Sequence, residues 1–596
     1  DTSTYRLEQA GLLFEIESLG RIVAYSGEHI LSREDLCYRS GPMEKISPQL
    51  GFSFLYDSTK EDDWREGFSK SVAVEKSCEL FLRPNKRLVF EECRGAALVS
   101  QGDFVLKRTM PTAAETAANA YLRHIALDEM GNTFAPRCPL PSGNGYRLKG
   151  KGDGVYALAD MGEETAGFVC LDFDVPCDCD VIVAFGEHLG DLRVRSYIDG
   201  RNFAFTYRAH RGRNVWRGNL RRLGLRYLQL YFLCERANLY DCRVLACRYP
   251  AKRKHTDIRD GLYRKIYENG VRTLENCMHE HYEDCPWREQ ALYAMDSRNQ
   301  MLCGYYVFQN KEFAASSLRL LALGQREDGL LELCAPARVG VTIPCFSLSF
   351  VTALCEHVEA GGDLAFGREL LPVAERILSL FLGRRGENGL VPCFTAPGLW
   401  NFYEWRDGLD GGSIFREDQI PETYDAPLNA MLSLALNDAA GLYARLGDTD
   451  AAVRCRRERD ALNRAMAAFW EEERGAYATY LTDTGRRHFC ELTQALLVCA
   501  GATDGARLDR ALEALSSAQN GLVPVTLSCS IFKYEALMRR PEAYGRWVME
   551  DVARIWGGML FAGAAVSLGG VTLVMAGPAP VFSALPQGEG YLALAA

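Results

Sequence analysis

Positive charge is the first thing this 596-residue chain lacks: 68 Lys and Arg face 78 Asp and Glu, for a net charge of −10. A polyanion such as nucleic acid is therefore excluded as the main partner. An uninterrupted apolar run is also missing. The only long stretch poor in charge lies at the end, and Gly563, Gly569, Gly570, Gly577, Pro578 and Pro580 break it, so no membrane partner is expected. There is no low-complexity block or heptad array, and 48% hydrophobic with 24% charged residues is ordinary globular composition. Asp1 to Leu13 shows no basic, apolar leader, so a cytoplasmic location is expected, with a processed start left open by the missing Met. Twenty-one cysteines, an odd number spread over a long chain, read as reduced and mostly buried thiols rather than a disulfide scaffold.

The length calls for two to four domains. Residues 1–130 mix short apolar runs with turns and read as a strand-rich β domain. From 150 to 250 the period is two, as in Val169, Leu171, Phe173 and Val175, then Leu228, Leu230 and Phe232, the pattern of an antiparallel β-sandwich. Gly, Pro and Lys gather between them, as in a long connection. From 255 to 563 the period becomes 3.6 without a convincing strand: Leu262, Ile266, Val271 and Leu274 share a face, as do Leu428, Met431, Leu432, Ala435, Leu442 and Leu446, with Gly447 as C-cap. About a dozen helices joined by short loops suggest pairs wound into an (α/α) toroid. Residues 564–596 form an atypical apolar tail. The fold class is multidomain, β-sandwich followed by toroid.

Reactive side chains are densest from His279 to Asp296. Pro286 is expected to open a helix at its first turn, with Asp284 in the loop before it, so that Glu289, Tyr293 and Asp296 at i, i+4 and i+7 project from one face. Three carboxylates, Arg288 and the rings of Trp287 and Tyr293 are costly to bury together, and they are what a sugar pocket needs: acids for hydroxyls and proton transfer, rings for the apolar sugar face. The plainer alternative is surface ion pairs on a solvated helix. A second acidic aromatic segment, Trp400-Asn401-Phe402-Tyr403-Glu404-Trp405-Arg406-Asp407, lies between helical stretches, where its rings either bind a ligand or tuck into the core.

The segment Asp284-Cys285-Pro286-Trp287-Arg288-Glu289, followed by Asp296, resembles the Asp-Cys-Pro-x-Arg-(Asp/Glu) signature of bacterial α-L-rhamnosidases of glycoside hydrolase family 78. The loop around Trp405 is similar to that family's second active-site segment. Asp160-Met161-Gly162-Glu163, Gly167-Phe168, Gly186-Glu187-His188-Leu189 and Gly224-Leu225-Arg226-Tyr227 resemble landmarks of its preceding β-sandwich. The resemblance implies a six-hairpin (α/α)6 catalytic domain and an inverting exo-glycosidase that releases terminal α-L-rhamnose. It implies Glu289 as general acid, with Asp284, Arg288 and Asp296 on the sugar hydroxyls and Trp287, Tyr293, Trp400, Tyr403 and Trp405 lining the pocket. No cofactor or metal is implied. The partner is a rhamnose-containing glycoside, and a homo-oligomer is allowed.

The family's general base is a glutamate in a Trp-Glu segment after a stretch like Ile555-Trp556-Gly557-Gly558-Met559-Leu560. Here the chain continues Ala562-Gly563-Ala564-Ala565-Val566-Ser567, no Trp-Glu follows, and Glu589 is the one charged residue from Gly557 to Ala596. The tail reads as an altered or out-of-frame segment, or as a diverged apolar one packing on the toroid. The base is unassigned, with Glu404, Asp407, Glu417 and Asp418 as the nearest substitutes. Two functions follow: a rhamnoside hydrolase, or a catalytically impaired carbohydrate-binding relative. A helical scaffold for protein partners would leave the acidic aromatic cluster unexplained. His279, His281 and Cys285 fit no common zinc spacing, Cys285 reads as a small buried side chain, Cys177-Asp178-Cys179 as a turn, and the arginines from Arg208 to Arg226 as a solvated sheet face.

Overall fold

The computed structural model describes residues 13–561 apart from 40–42, 64, 73–82, 93–95, 109, 133–144, 310, 336, 338, 412–422 and 518. The tail expected at 564–596, with Glu417 and Asp418, lies outside the described residues. The chain divides into two compact units between Cys247 and Arg248.

The first unit is built on one eleven-stranded sheet. Its strands are β1 (Leu55–Asp57), β2 (Val89–Glu92), β3 (Ala97–Val105), β4 (Tyr121–His124), β5 (Tyr146–Lys149) and β6 (Gly154–Val175). They continue with β7 (Cys179–Gly186), β8 (Ala204–Ala209), β9 (Gly212–Arg217), β10 (Leu223–Phe232) and β11 (Arg236–Arg248). The main path runs β4-β3-β6-β10-β7-β8-β1, antiparallel except for β1 on β8. The two segments that the sequence reads as separate β domains thus share a sheet, because β3 lies directly along β6. A connection rich in turn residues marks a chain reversal as readily as a domain border.

β6 changes partners midway: its first half lies between β3 and β10, its second between β9 and β11. The register shifts between Asp160 and Thr165, where Gly162 has φ +82° and its N–H reaches Asp160 Oδ1 at 2.8 Å. Beyond the shift Val169, Leu171, Phe173 and Val175 are buried and the residues between them only partly so, the expected alternation. Arg208, Arg213 and Arg226 pair with Asp180, Asp172 and Asp160, in keeping with a solvated sheet face. Helix α1 (Ala113–Asn119), closed by a Thr112/Glu115 capping box, lays Ala114 and Ala117 on Phe104, Tyr156 and Tyr231.

The second unit contains α2 (Gly261–Asn276), α3 (Ala294–Val307), α4 (Glu312–Leu323), α5 (Pro344–Glu359), α6 (Leu364–Gly383) and α7 (Ala426–Leu446). It goes on to α8 (Thr449–Ala465), α9 (Glu491–Cys499), α10 (Gly505–Ser516), α11 (Ser530–Leu537) and α12 (Pro541–Phe561). Burial alternates along the chain. α3, α5, α7, α9 and α11 are buried around most of their circumference, whereas α2, α8 and α10 bury one stripe each. Helices apolar on one stripe cover a core; helices buried all round form it. The buried set packs in succession, α3 on α5, α5 on α7, α7 on α9 and α9 on α11, while α12 packs on α2.

Connections leaving the buried helices are short, such as 360–363 and 447–448, and those entering them are long, such as 277–293, 384–425 and 466–490. The long ones hold small strands that the 3.6 periodicity conceals, including Tyr424–Asp425 and Gly485–Arg487 on Tyr480–Thr482. Among the described residues no helix is long and apolar enough to cross a membrane.

Candidate active site

The loop entering α3 carries the first candidate cluster, and it departs from expectation. Pro286 does not open a helix: residues 286–289 form a turn and the helix begins at Ala294. The reason is local. Gln290 N–H closes the turn on the Cys285 carbonyl at 3.2 Å, Gln290 Nε2 reaches the Pro286 carbonyl at 2.7 Å, and Gln290 itself sits at φ +53°, which stops helical continuation. Asp284 and Ala291 then tie the loop base twice. Asp284 N–H donates to the Ala291 carbonyl at 2.9 Å, and Ala291 N–H donates to Asp284 Oδ1 at 2.8 Å. Gln300 of α3 pins the loop from below through the Glu283 carbonyl at 2.6 Å.

Glu289, Tyr293 and Asp296 therefore do not share a helical face, yet the loop brings them together. Tyr293 Oη donates to Glu289 Oε2 at 2.8 Å. Asp284 is held well above the usual carboxylate range, first by burial and then by the charge of Glu289, against the opposing hydrogen bonds of Cys285 and the Ala291 N–H. Asp296 is pushed up to about 7 by burial, with Glu289 adding to the shift. Both residues are partly exposed at the entry to α3. Of the other motif residues Trp287 is a core ring at 3% exposure, and Arg288 is exposed.

The second segment, in the long connection before α7, is a braced loop. Trp400 N–H donates to the Thr342 carbonyl and Thr342 N–H to the Gly398 carbonyl, both at 2.8 Å, while Asn401 and Phe394 exchange side-chain to main-chain bonds of 2.7 and 3.0 Å. Trp405 is 70% exposed, so burial does not account for it. Its ring stands 4.8 Å from Phe402 and 5.8 Å from Trp400, which is half-buried. Tyr403 instead is a core residue, its hydroxyl donating to Asp425 Oδ2 at 2.6 Å. Gly408 is required twice: φ is +73°, and a Cβ there would lie 2.7 Å from the His488 ring, which itself bonds the Asp407 carbonyl at 2.8 Å.

Phe346 of α5 links the two segments, 6.4 Å from Tyr293 and 6.3 Å from Phe402. Nothing in the sequence separates this Phe from the core residues around it. Asp425 was also missed: it is buried and raised to about 7 by desolvation, against the Tyr403 hydrogen bond. Among the substitutes for a base, Glu404 is 2% exposed and its Oε2 accepts from Thr526 N–H and Oγ1 at 2.7 and 2.6 Å, whereas Asp407 is exposed. Burial holds Glu404 above the ordinary range, with Thr526 opposing. Among the described residues no group of three His, Cys, Asp or Glu side chains could hold a metal ion.

Residues 258–520 match the family model described as the bacterial alpha-L-rhamnosidase six-hairpin glycosidase domain. No curated protein matches the chain. Among solved structures, a family 78 rhamnosidase of Bacillus sp. GL1 aligns with TM-score 0.79 at 19% identity, over 95% of this chain and 77% of that one. A rhamnosidase from Klebsiella oxytoca with rhamnose bound aligns with TM-score 0.62 at 20% identity, over 81% of this chain and 89% of that one. The chain therefore shares its fold with these rhamnosidases, and over residues 258–520 it is similar to the bacterial alpha-L-rhamnosidase six-hairpin glycosidase domain.

Proposed function

We propose that the chain is a glycoside hydrolase that removes terminal α-L-rhamnose. In this reading residues 255–563 belong to an (α/α)6 catalytic domain, with α3, α5, α7, α9 and α11 as five of its six inner helices and α2, α4, α6, α8, α10 and α12 as its outer ones. The observation that carries it is the gathering of Asp284, Glu289 and Asp296 at the entry to α3, with Glu289 on the Tyr293 hydroxyl at 2.8 Å, beside a line of rings from Tyr293 through Phe346 and Phe402 to exposed Trp405. The Klebsiella relative, which has rhamnose bound, supports the substrate class.

Glu289 is the general acid. Tyr293 orients its carboxyl, and the proton goes to the glycosidic oxygen as the bond to the anomeric carbon breaks. Asp284 and Asp296, both raised above the usual carboxylate range by burial, can each accept from a sugar hydroxyl and, when protonated, donate to one. Trp405 and Trp400 supply stacking for the apolar face of the deoxysugar. Inversion further needs a carboxylate about 6.5–9.5 Å from the acid to activate water, and it remains unassigned. The missing Trp-Glu after Gly563 favours a second reading, a relative that binds rhamnose and turns it over slowly.

Both readings are tested on the purified chain with a nitrophenyl α-L-rhamnoside and calorimetry for rhamnose. A hydrolase turns over and loses turnover in Glu289→Gln, with rhamnose affinity kept within about tenfold. An impaired relative binds rhamnose with turnover roughly 10²–10⁴-fold below that of a complete rhamnosidase. Neither binding nor turnover would refute both.

A further inference from the structure

The first unit holds two thiols that this chemistry does not use. Cys179 opens β7 and Cys234 lies just past β10, and the register that sets Val181 opposite Phe232 runs on to set Cys179 opposite Cys234. Leu233 N–H donates to the Asp180 carbonyl at 3.0 Å, which makes Asp180 and Leu233 a hydrogen-bonded pair. The pairs on either side, Val181 with Phe232 and Cys179 with Cys234, are then of the non-hydrogen-bonded kind, where Cα atoms approach to about 4.5 Å and side chains are nearest. A disulfide spans Cα separations of about 4.4–6.8 Å, so this position admits one without moving either strand.

The two thiols influence each other: their interaction draws Cys234 below its ordinary range and, together with burial, raises Cys179. The Cys234 thiol donates to the Arg236 carbonyl at 3.1 Å, which fixes its direction. Cys179 is half-buried and Cys234 8% exposed, at the end of the two strands, where a small oxidant has access.

We propose that Cys179 and Cys234 form a redox modification site, closed to a disulfide by a hydroperoxide, which staples β7 to β10. Cys234 gives up its proton and its sulfur attacks the peroxide; the O–O bond breaks, a sulfenic acid forms, and the departing oxygen takes up that proton and leaves as water, or as the alcohol from an organic hydroperoxide. The Cys179 sulfur then attacks the Cys234 sulfur, giving up its proton, and the S–O bond breaks with loss of water. Two thiols lose two electrons and the peroxide gains them.

The test is peptide mapping under non-reducing conditions of the full chain, purified reduced and treated with hydrogen peroxide. The expected product is a linked Cys179–Cys234 peptide pair, two hydrogens lighter and reversed by dithiothreitol, with Tm raised by roughly 5 °C because the link closes a long loop. Cys177→Ser, which removes the exposed thiol nearby, should leave the link intact. Cys179→Ser keeps a donor but no second sulfur, so Cys234 should accumulate as a sulfenic acid trapped by dimedone. A link through Cys177 in place of Cys179, or full alkylation of Cys179 and Cys234 after Cys177 has oxidised, overturns the proposal. So does a linked chain that melts lower than the reduced one. If either variant does not fold, the map of the unaltered chain decides.

Discussion

Glu289 meets the Tyr293 hydroxyl through a tight turn rather than through helical spacing, and Asp296 lies on the first turn of the helix that follows. At this scale pH gives a direct check. Asp296, Asp425 and Asp438 are each lifted to about 7, chiefly by burial. The folded chain holds these protons where the unfolded chain has released them, so the associated stability is complete below pH about 4 and is lost as pH rises through about 7. His357, lowered to about 4 by burial, acts in the opposite sense, but its contribution is complete above about 6.5. Thermal unfolding should therefore show Tm falling from pH about 6.5 to 8, with a flatter slope in Asp425→Asn and Asp438→Asn. A Tm that stays flat across that window and is unchanged in both variants would show that these carboxyls ionise at no cost in the folded state.

Among the elements, α7 could be written from its sequence: its apolar positions repeat with helical spacing and Gly447, at φ +85°, ends it. The segment after Pro286 could not, because proline suits a turn as well as a first helical residue, and the choice fell to Gln290 in the left-handed region. The aromatic loop divides in the same way: tryptophan and tyrosine look equally suited to a sugar, yet Tyr403 is spent on Asp425 and Trp405 stands open. Trp405→Ala should cut rhamnose affinity about thirtyfold or more, worth at least about 2 kcal/mol, with Tm nearly unchanged, as read by calorimetry and by melting. Gly408→Ala should do the reverse of the second part. A side chain at φ +73° against His488 should destabilise the unit by roughly 1–3 kcal/mol, visible as a lower denaturation midpoint.

For the whole molecule, the switch in period from two to 3.6, read near residue 255, lies a few residues after the division between the two units at Cys247. It could not show that residues before 130 and after 150 build one sheet, because strand pairing is a long-range fact that no local pattern carries. The scale of the whole chain also decides between the two functional readings. Grafting a Trp-Glu segment and its following helix after Gly563 should raise rhamnoside turnover by roughly 10²–10⁴-fold if a base is what the chain lacks. Unchanged turnover in an otherwise folded graft would place the water-activating group elsewhere.

The unequal connections of the helical unit have a consequence for how such a molecule can change. The loops that enter the buried helices carry most of the acids and the rings, and those that leave them are a few residues long, reverse the chain and, at Gly447 and Asp448, cap the helices on either side. If the proposed function holds, selection for a different sugar can work on the entering loops while the short leaving ones keep the helices in register. A peptide inserted between Gly447 and Asp448, in a leaving connection, should pass unnoticed by the acids at the entry to α3, and that is where a tether or a reporter belongs.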